Sequence, residues 1–173
     1  MNSNSKHFDI EIDKLTNSIE NRISGEVFDT EVQRVDPLQT KIIKKKDWRF
    51  DWRAELKYPN REVYKLTTID NPSIIQGLIS LGDNNDHIFM HLIESVNFNI
   101  GKSKLYLGVP GNLVAFACKC SFEAGYSGFI GFLSKSRLID HYKETLNAEI
   151  MYGNYMSINT KSAMILINKY YNK

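Results

Sequence analysis

The order of apolar and polar positions divides the 173-residue chain into stretches of two different periods. Residues 62–69 (EVYKLTTI) alternate with period two and are rich in β-branched side chains. Residues 74–81 (IIQGLISL) and 87–96 (HIFMHLIESV) are short, nearly unbroken apolar runs. Both textures predict strands. Asn71-Pro72 breaks the first from the second, and GDNND (82–86) is a hairpin signal between the second and third, so the three form an antiparallel meander. Upstream, 27–35 (VFDTEVQRV) reads as another strand. It ends at Asp36-Pro37, where the Asp is suited to an N-cap and the Pro to the first position of a helical or broken-helical stretch over 37–57.

Downstream, residues 104–125 read as a glycine-containing loop running into an apolar helix that Gly125 stops. Leu113, Phe116, Ala117 and Cys120 recur there at helical spacing. Residues 128–134 (GFIGFLS) predict a strand buried on both faces. Residues 135–147 predict an amphipathic helix with Leu138, Ile139, Tyr142 and Leu146 on one stripe. A closing hairpin over 148–159 and a terminal helix over 160–171, capped by Thr160, complete the pattern. Residues 1–24 stand apart as a polar N-terminal segment, read either as partly disordered or as a short helix over 9–24 (DIEIDKLTNSIENRIS) closed by Gly25. The fold class is therefore α/β: a single domain over 25–173 with a mixed, mostly antiparallel sheet flanked by helices.

Composition narrows the function classes. Hydrophobic residues make up 42% of the chain, enough for one sizeable core. Twenty-two Lys and Arg against 20 Asp and Glu leave a net charge of +2, which gives no global electrostatic case for a nucleic-acid partner. No run approaches the length of a membrane span, and the polar start lacks the apolar centre of a signal peptide, so a cytoplasmic protein is expected. Cys118 and Cys120 would point about 200° apart on a helix, which suits two reduced thiols rather than a disulfide or a zinc site. The only dense basic run, KIIKKK (41–46), is read as a solvated face or a contact for an anion.

The first position bearing chemistry is the glycine loop. A strand, then Gly108-Val109-Pro110-Gly111-Asn112, then a helix from about Leu113 gathers backbone N–H groups and a positive dipole end at one point, which suits a phosphate or pyrophosphate. It is neither a Walker loop, which would need Gly-Lys-Ser/Thr, nor GxGxxG. His87, His91 and Glu94 have metal-ligand spacing on a helix only. On a strand the two histidines lie about 13 Å apart and no metal is expected. No GxSxG elbow or HExxH signature is present.

The meander, the glycine loop opening a helix, the buried strand and the amphipathic helix with a tyrosine resemble, in that order over about residues 27–159, the GNAT family of Gcn5-related N-acyltransferases. The run from Gly108 to Glu149 is similar to a subgroup of small bacterial proteins related to these enzymes. The family's pyrophosphate loop, Q/R-x-x-G-x-G/A, is matched by Leu105-Tyr106-Leu107-Gly108-Val109-Pro110, with Gly111 just after. The resemblance implies acetyl-CoA or another acyl-CoA as co-substrate, lying between the strand ending near Val96 and the strand at 128–134. Gly108, Val109, Pro110, Gly111, Asn112 and Leu113 would hold its pyrophosphate, with Lys135 nearby, and the backbone at Ser95 and Val96 would pair with its pantetheine amides. It also implies Glu94 as general base on an amine, since attack on a thioester needs the neutral amine. Tyr142 would be the proton donor to the departing thiolate. HYKETLNAE departs from the family's fYekLGF by one residue of spacing and by Asn147 in place of glycine.

The function so implied is transfer of an acyl group to a small-molecule or peptide amine. The alternative is an acyl-CoA-binding or interaction module of the same fold without turnover, and a third reading is an enzyme acting on aminoacyl-tRNA through the 41–46 lysines with Trp48 and Trp52. The acceptor would be set by residues 37–58 and 148–159, and Met151, Tyr152, Tyr155 and Met156 offer an apolar edge of the kind a homodimer uses.

Overall fold

The computed structural model describes residues 6–15 and 18–171. Its centre is a seven-stranded sheet. In chain order the strands are β3 (Thr30–Arg34), β4 (Arg61–Thr68), β5 (Gly77–Asp83), β6 (Ile88–Ser95), β8 (Ile130–Leu133), β9 (Glu149–Tyr152) and β10 (Tyr155–Ile158). Across the sheet the order is β3-β4-β5-β6-β8-β10-β9, antiparallel throughout except for the central β6–β8 pair. The crossover that a parallel pair requires is the helix α2 (Val109–Glu123). A small second sheet, β2-β1-β7, is made by β1 (Ile19–Asn21), β2 (Val27–Phe28) and β7 (Tyr106–Leu107).

Alternation along the strands gives the sheet two buried faces. Leu66, Ile79, Met90 and Ile93 join the larger core with Leu113, Val114 and Ala117 of α2 and with the terminal helix α4 (Thr160–Tyr171). Val63, Leu78, Leu92 and Val96 face the other way, under Trp48, Trp52 and Leu56. The phase of β6 changes in mid-strand. Ser80 pairs with Leu92 but Leu81 pairs with Met90, so His91 is an extra residue, a β-bulge. Its ring fits because the facing residue is Gly82, where any Cβ would collide with His91 Nε2.

The expected meander, the 82–86 turn, the buried strand, the helices after residue 108 and the closing hairpin are all present. Three local expectations are corrected. Residues 9–15 are extended, not helical, because Phe8 and Ile12 alternate inward into the core; β1 follows, and residues 16 and 17 of the expected helix lie outside the described residues. The 37–57 stretch takes the broken-helical form of the two expected, as two 3-10 turns (Thr40–Ile42 and Lys45–Asp47) and one turn of helix, α1 (Trp52–Glu55). The α4 cap is Asn159, whose Oδ1 accepts from Ser162 N at 2.9 Å, not Thr160. Met156 is fully buried in the core, so the exposed apolar edge is Ile150, Met151 and Tyr152 instead.

Gly77 sets how closely α2 approaches the sheet. A Cβ there would lie 2.6 Å from Val109 Cγ1 and 2.9 Å from Leu113 Cδ1, both core atoms of the first helical turns. Gly77→Ala is expected to cost about 1–3 kcal/mol in urea unfolding, through displacement of α2; an unchanged midpoint would show that the helix yields freely. The His91 imidazole is held neutral, its pKa pushed down to about 3, first by burial and then by the Arg61 charge. The unfolded chain therefore takes up a proton below pH 6.5 that the folded chain refuses. Stability attributable to His91 is full above that pH and falls as the pH drops towards 3. The loss of stability between pH 6.5 and 4 is expected to be shallower in His91→Leu than in the native chain; parallel curves would contradict it.

Candidate active site

The bulge bends β6 away from β8. The parallel pairing runs Ile88–Ile130, Phe89–Gly131 and Met90–Phe132 and then stops, while β6 goes on beside β5 to Ser95. The gap so opened is taken by the N-terminal segment. Lys6 N donates to His91 O at 3.3 Å, Phe8 N donates to Leu133 O at 2.6 Å, and Lys135 N donates to Phe8 O at 2.9 Å. Phe8 forms a parallel bridge with Ser134, and its ring packs on Phe132, centroids 4.9 Å apart. Further along, Ile10 N and O bond the Tyr142 hydroxyl, and Ile12 N donates to His141 Nε2 at 2.8 Å. Both ring residues belong to α3 (Ile139–Leu146).

At the end of this path lies the start of α2. Gly108 is its N-cap, with φ 99°, a left-handed conformation that glycine adopts without strain. Gly108 N donates to Asp13 Oδ1 at 3.0 Å, and Lys104 Nζ donates to Asp13 Oδ2 at 2.9 Å. The helix N-terminus and a lysine thus hold a carboxylate between them, as such a terminus holds any anion. Of the first-turn residues, Val109 and Gly111 have an N–H and Pro110 has none. Gly111 is packed rather than open: a Cβ would collide with the Tyr170 hydroxyl and fall 3.0 Å from Lys14 O. Asn112 N bonds back to Gly108 O, its side chain donates to Ser18 O and Gly108 O, and Leu113 is core.

A cavity of about 490 Å³ opens beside the segment. Glu94, Ser95, Val109 and Pro110 line it, together with Asp9, Asp13, Arg49, Lys104 and Arg137. The structure therefore brings four of the residues expected from sequence onto one wall. Val96 lies in the core beneath Trp48 and Trp52, and Lys135 takes part through its backbone.

Glu94 is 2% exposed and its carboxylate is held from one side. Arg49 N donates to Oε2 at 2.7 Å, while Phe50 N and Trp52 Nε1 donate to Oε1 at 3.2 and 2.8 Å. The carboxylate staples the 48–52 turn to β6 and leaves Oε2 with a lone-pair direction to spare. Tyr142 is wholly buried, and burial pushes its hydroxyl well above the ordinary phenol range despite the opposing hydrogen bond with Ile10. It therefore stays a neutral phenol at neutral pH, donating to Ile10 O and accepting from Ile10 N.

Sequence reasoning missed Asp13, Lys104, Arg137 and the 48–52 cage. The period-two run Phe8, Ile10, Ile12 was the available signal for an inserted strand.

No protein-family model matches the chain, and no curated protein does. Solved structures do match. AtaTR bound with AcCoA is 14% identical, covering 79% of this chain and 97% of that one at a TM-score of 0.52. The KacTA–DNA complex is 12% identical over 80% and 98%, at 0.54. A spermidine N-acetyltransferase SpeG chimera from Vibrio cholerae and hSSAT is 10% identical over 78% and 98%, at 0.50. The chain has the GNAT fold. In this GNAT-fold chain residues 6–15 lie across the parting of β6 from β8 and reach the α2 N-terminus. Among the described residues, no helix of this GNAT-fold chain is long and apolar enough to cross a membrane.

Glu94→Gln replaces an acceptor by an N–H₂ group facing backbone donors. It is expected to lower unfolding stability by about 1–3 kcal/mol; a native-like urea midpoint would contradict the three-donor cage.

Proposed function

We propose that the chain is an acyl-CoA-dependent N-acyltransferase that moves an acetyl or other acyl group to an amine. The observation that carries this reading is the parting of β6 from β8 at His91, a slot one extended chain wide that leads to the N-terminus of α2. A pantetheine arm is an extended chain with two amides, and a slot that bonds the backbone of Phe8 on its β8 side suits it. The Asp13 carboxylate held by Gly108 N supports a phosphate position there, since both are anions at a helix N-terminus. The acetyl-CoA carried by AtaTR, of the same fold, supports the same co-substrate here.

In this reading Ser95 at the end of β6 and Val96 just after it, with Ser134 and Lys135 opposite, hold the pantetheine. Val109 and Gly111 N–H groups at the Gly108 cap, together with Lys104, hold the pyrophosphate. The packed side chains of Asn112 and Leu113 and the ring of Pro110 shape the turn and do not touch the ligand. The bound co-substrate supplies an acyl thioester. Glu94, on the cavity wall, takes the proton of the incoming amine directly or through a water, and Tyr142 gives one to the sulfur. Holding amine and thioester together supplies most of the acceleration. The acceptor enters beside Arg49, which lines the cavity next to Glu94.

The test is thiol release from acetyl-CoA across a panel of polyamines, aminoglycosides, amino acids and peptides. At least one amine is expected to be acylated, with Glu94→Gln slowed about tenfold to a thousandfold at unchanged CoA affinity and Tyr142→Phe slowed to a similar extent at saturating acetyl-CoA. CoA binding with full activity in both variants would remove these two residues from the mechanism. Absence of any acyl-CoA binding would remove the function.

A further inference from the structure

Residues 6–15 lie along the β8 side of the slot that the acyl-CoA reading assigns to the co-substrate and reach the α2 N-terminus. Phe8 takes the free backbone edge at Leu133 and Lys135. Ile10 takes the Tyr142 hydroxyl on both its donor and acceptor sides. Asp13 takes the Gly108 N–H at the α2 N-terminus. Charge follows the same plan: Asp13 is paired with Lys104, and Asp9 with Arg137. An extended main chain thus lies where a pantetheine would, and carboxylates lie where phosphates would.

We propose that this acidic segment is a strap that fills the acyl-CoA slot of the resting protein, so that co-substrate binds only as the strap leaves. The proposal rests on the acyl-CoA reading above and adds regulation of that site. Leaving is feasible because the strap's polar contacts have ready replacements. Lys104 and Arg137 exchange carboxylates for phosphates, the Leu133–Lys135 edge exchanges one amide chain for another, and Tyr142 is freed to face the thioester. What holds the strap is the burial of Phe8 and Ile12, 3% and 6% exposed. Apparent CoA affinity is therefore lowered by the fraction of molecules whose strap is closed.

The experiment is amide hydrogen exchange on the full chain, with and without saturating coenzyme A, beside calorimetric titration of coenzyme A. It is run on the native protein and on D9N/D13N, which removes the two paired charges and leaves Phe8 and Ile12 in place. With coenzyme A bound, the amides of Phe8, Ile10 and Ile12 are expected to exchange about tenfold faster or more while those of β5 and β6 stay protected. D9N/D13N is expected to exchange faster over 6–15 without ligand and to bind coenzyme A about five- to twentyfold more tightly. Coenzyme A binding that leaves 6–15 protected overturns the strap and leaves the acyl-CoA reading standing. Exchange and affinity equal to the native values in D9N/D13N overturn the role given to the carboxylates. No binding of coenzyme A by either protein overturns the acyl-CoA reading and the strap with it.

Discussion

A bulge places in one strand a residue that its neighbour cannot pair, and the strand bends there. At His91 that single extra residue sets the geometry of the whole site. It turns β6 away from β8 just after Met90, so a parallel pair that starts like any other opens into a gap. It also resets the alternation of β6, which sends Leu92, Glu94 and Val96 to the tryptophan side while Ile93 stays on the helix side. Glu94 thereby meets the 48–52 turn, and the α2 N-terminus comes down on Gly77 at the far end of the gap. The bulge itself is locked in place by a neutral, buried imidazole over a glycine.

The electrostatics are local, as a net charge of +2 allows. Four cations, Arg49, Lys102, Lys104 and Arg137, line one cavity, with Asp9, Glu11, Asp13 and Glu94 set among them. Lys104 and the α2 N-terminus share the Asp13 carboxylate, an arrangement in which the anion can be exchanged without rebuilding the site. The lysines at 41, 44, 45 and 46 are exposed and do not line this cavity.

Much of the architecture was legible because local pattern and global fold agree. The 82–86 turn, Gly108 ahead of an apolar helix and Gly125 behind it each specify one backbone geometry, and all three recur in the structure. Glu94, Ser95, Val109 and Pro110, which the family resemblance groups together, line one cavity. The bulge could not be read, because an extra residue in an apolar run such as HIFMHLIESV leaves no mark on composition. The N-terminal segment was misread for a related reason. DIEID has acidic residues at both helix-like and strand-like spacings, and only the distant Leu133 edge and the α3 side chains Tyr142 and His141 select the extended form. The Glu94 cage depends on Trp52, 42 positions away, and no local signal announces so distant a pairing.

The slot between β6 and β8 joins the bulge, the helix N-terminus and the N-terminal segment, and a crystal structure of the full chain grown with coenzyme A tests its role most directly. The pantetheine is expected to run between Ser95 and Ser134, with the pyrophosphate over the Val109 and Gly111 amides and residues 6–15 gone from the Leu133 edge. Coenzyme A bound elsewhere, with Phe8 still bonded to Leu133 and Lys135 and Asp13 still on Gly108, would contradict both the slot's role and the strap.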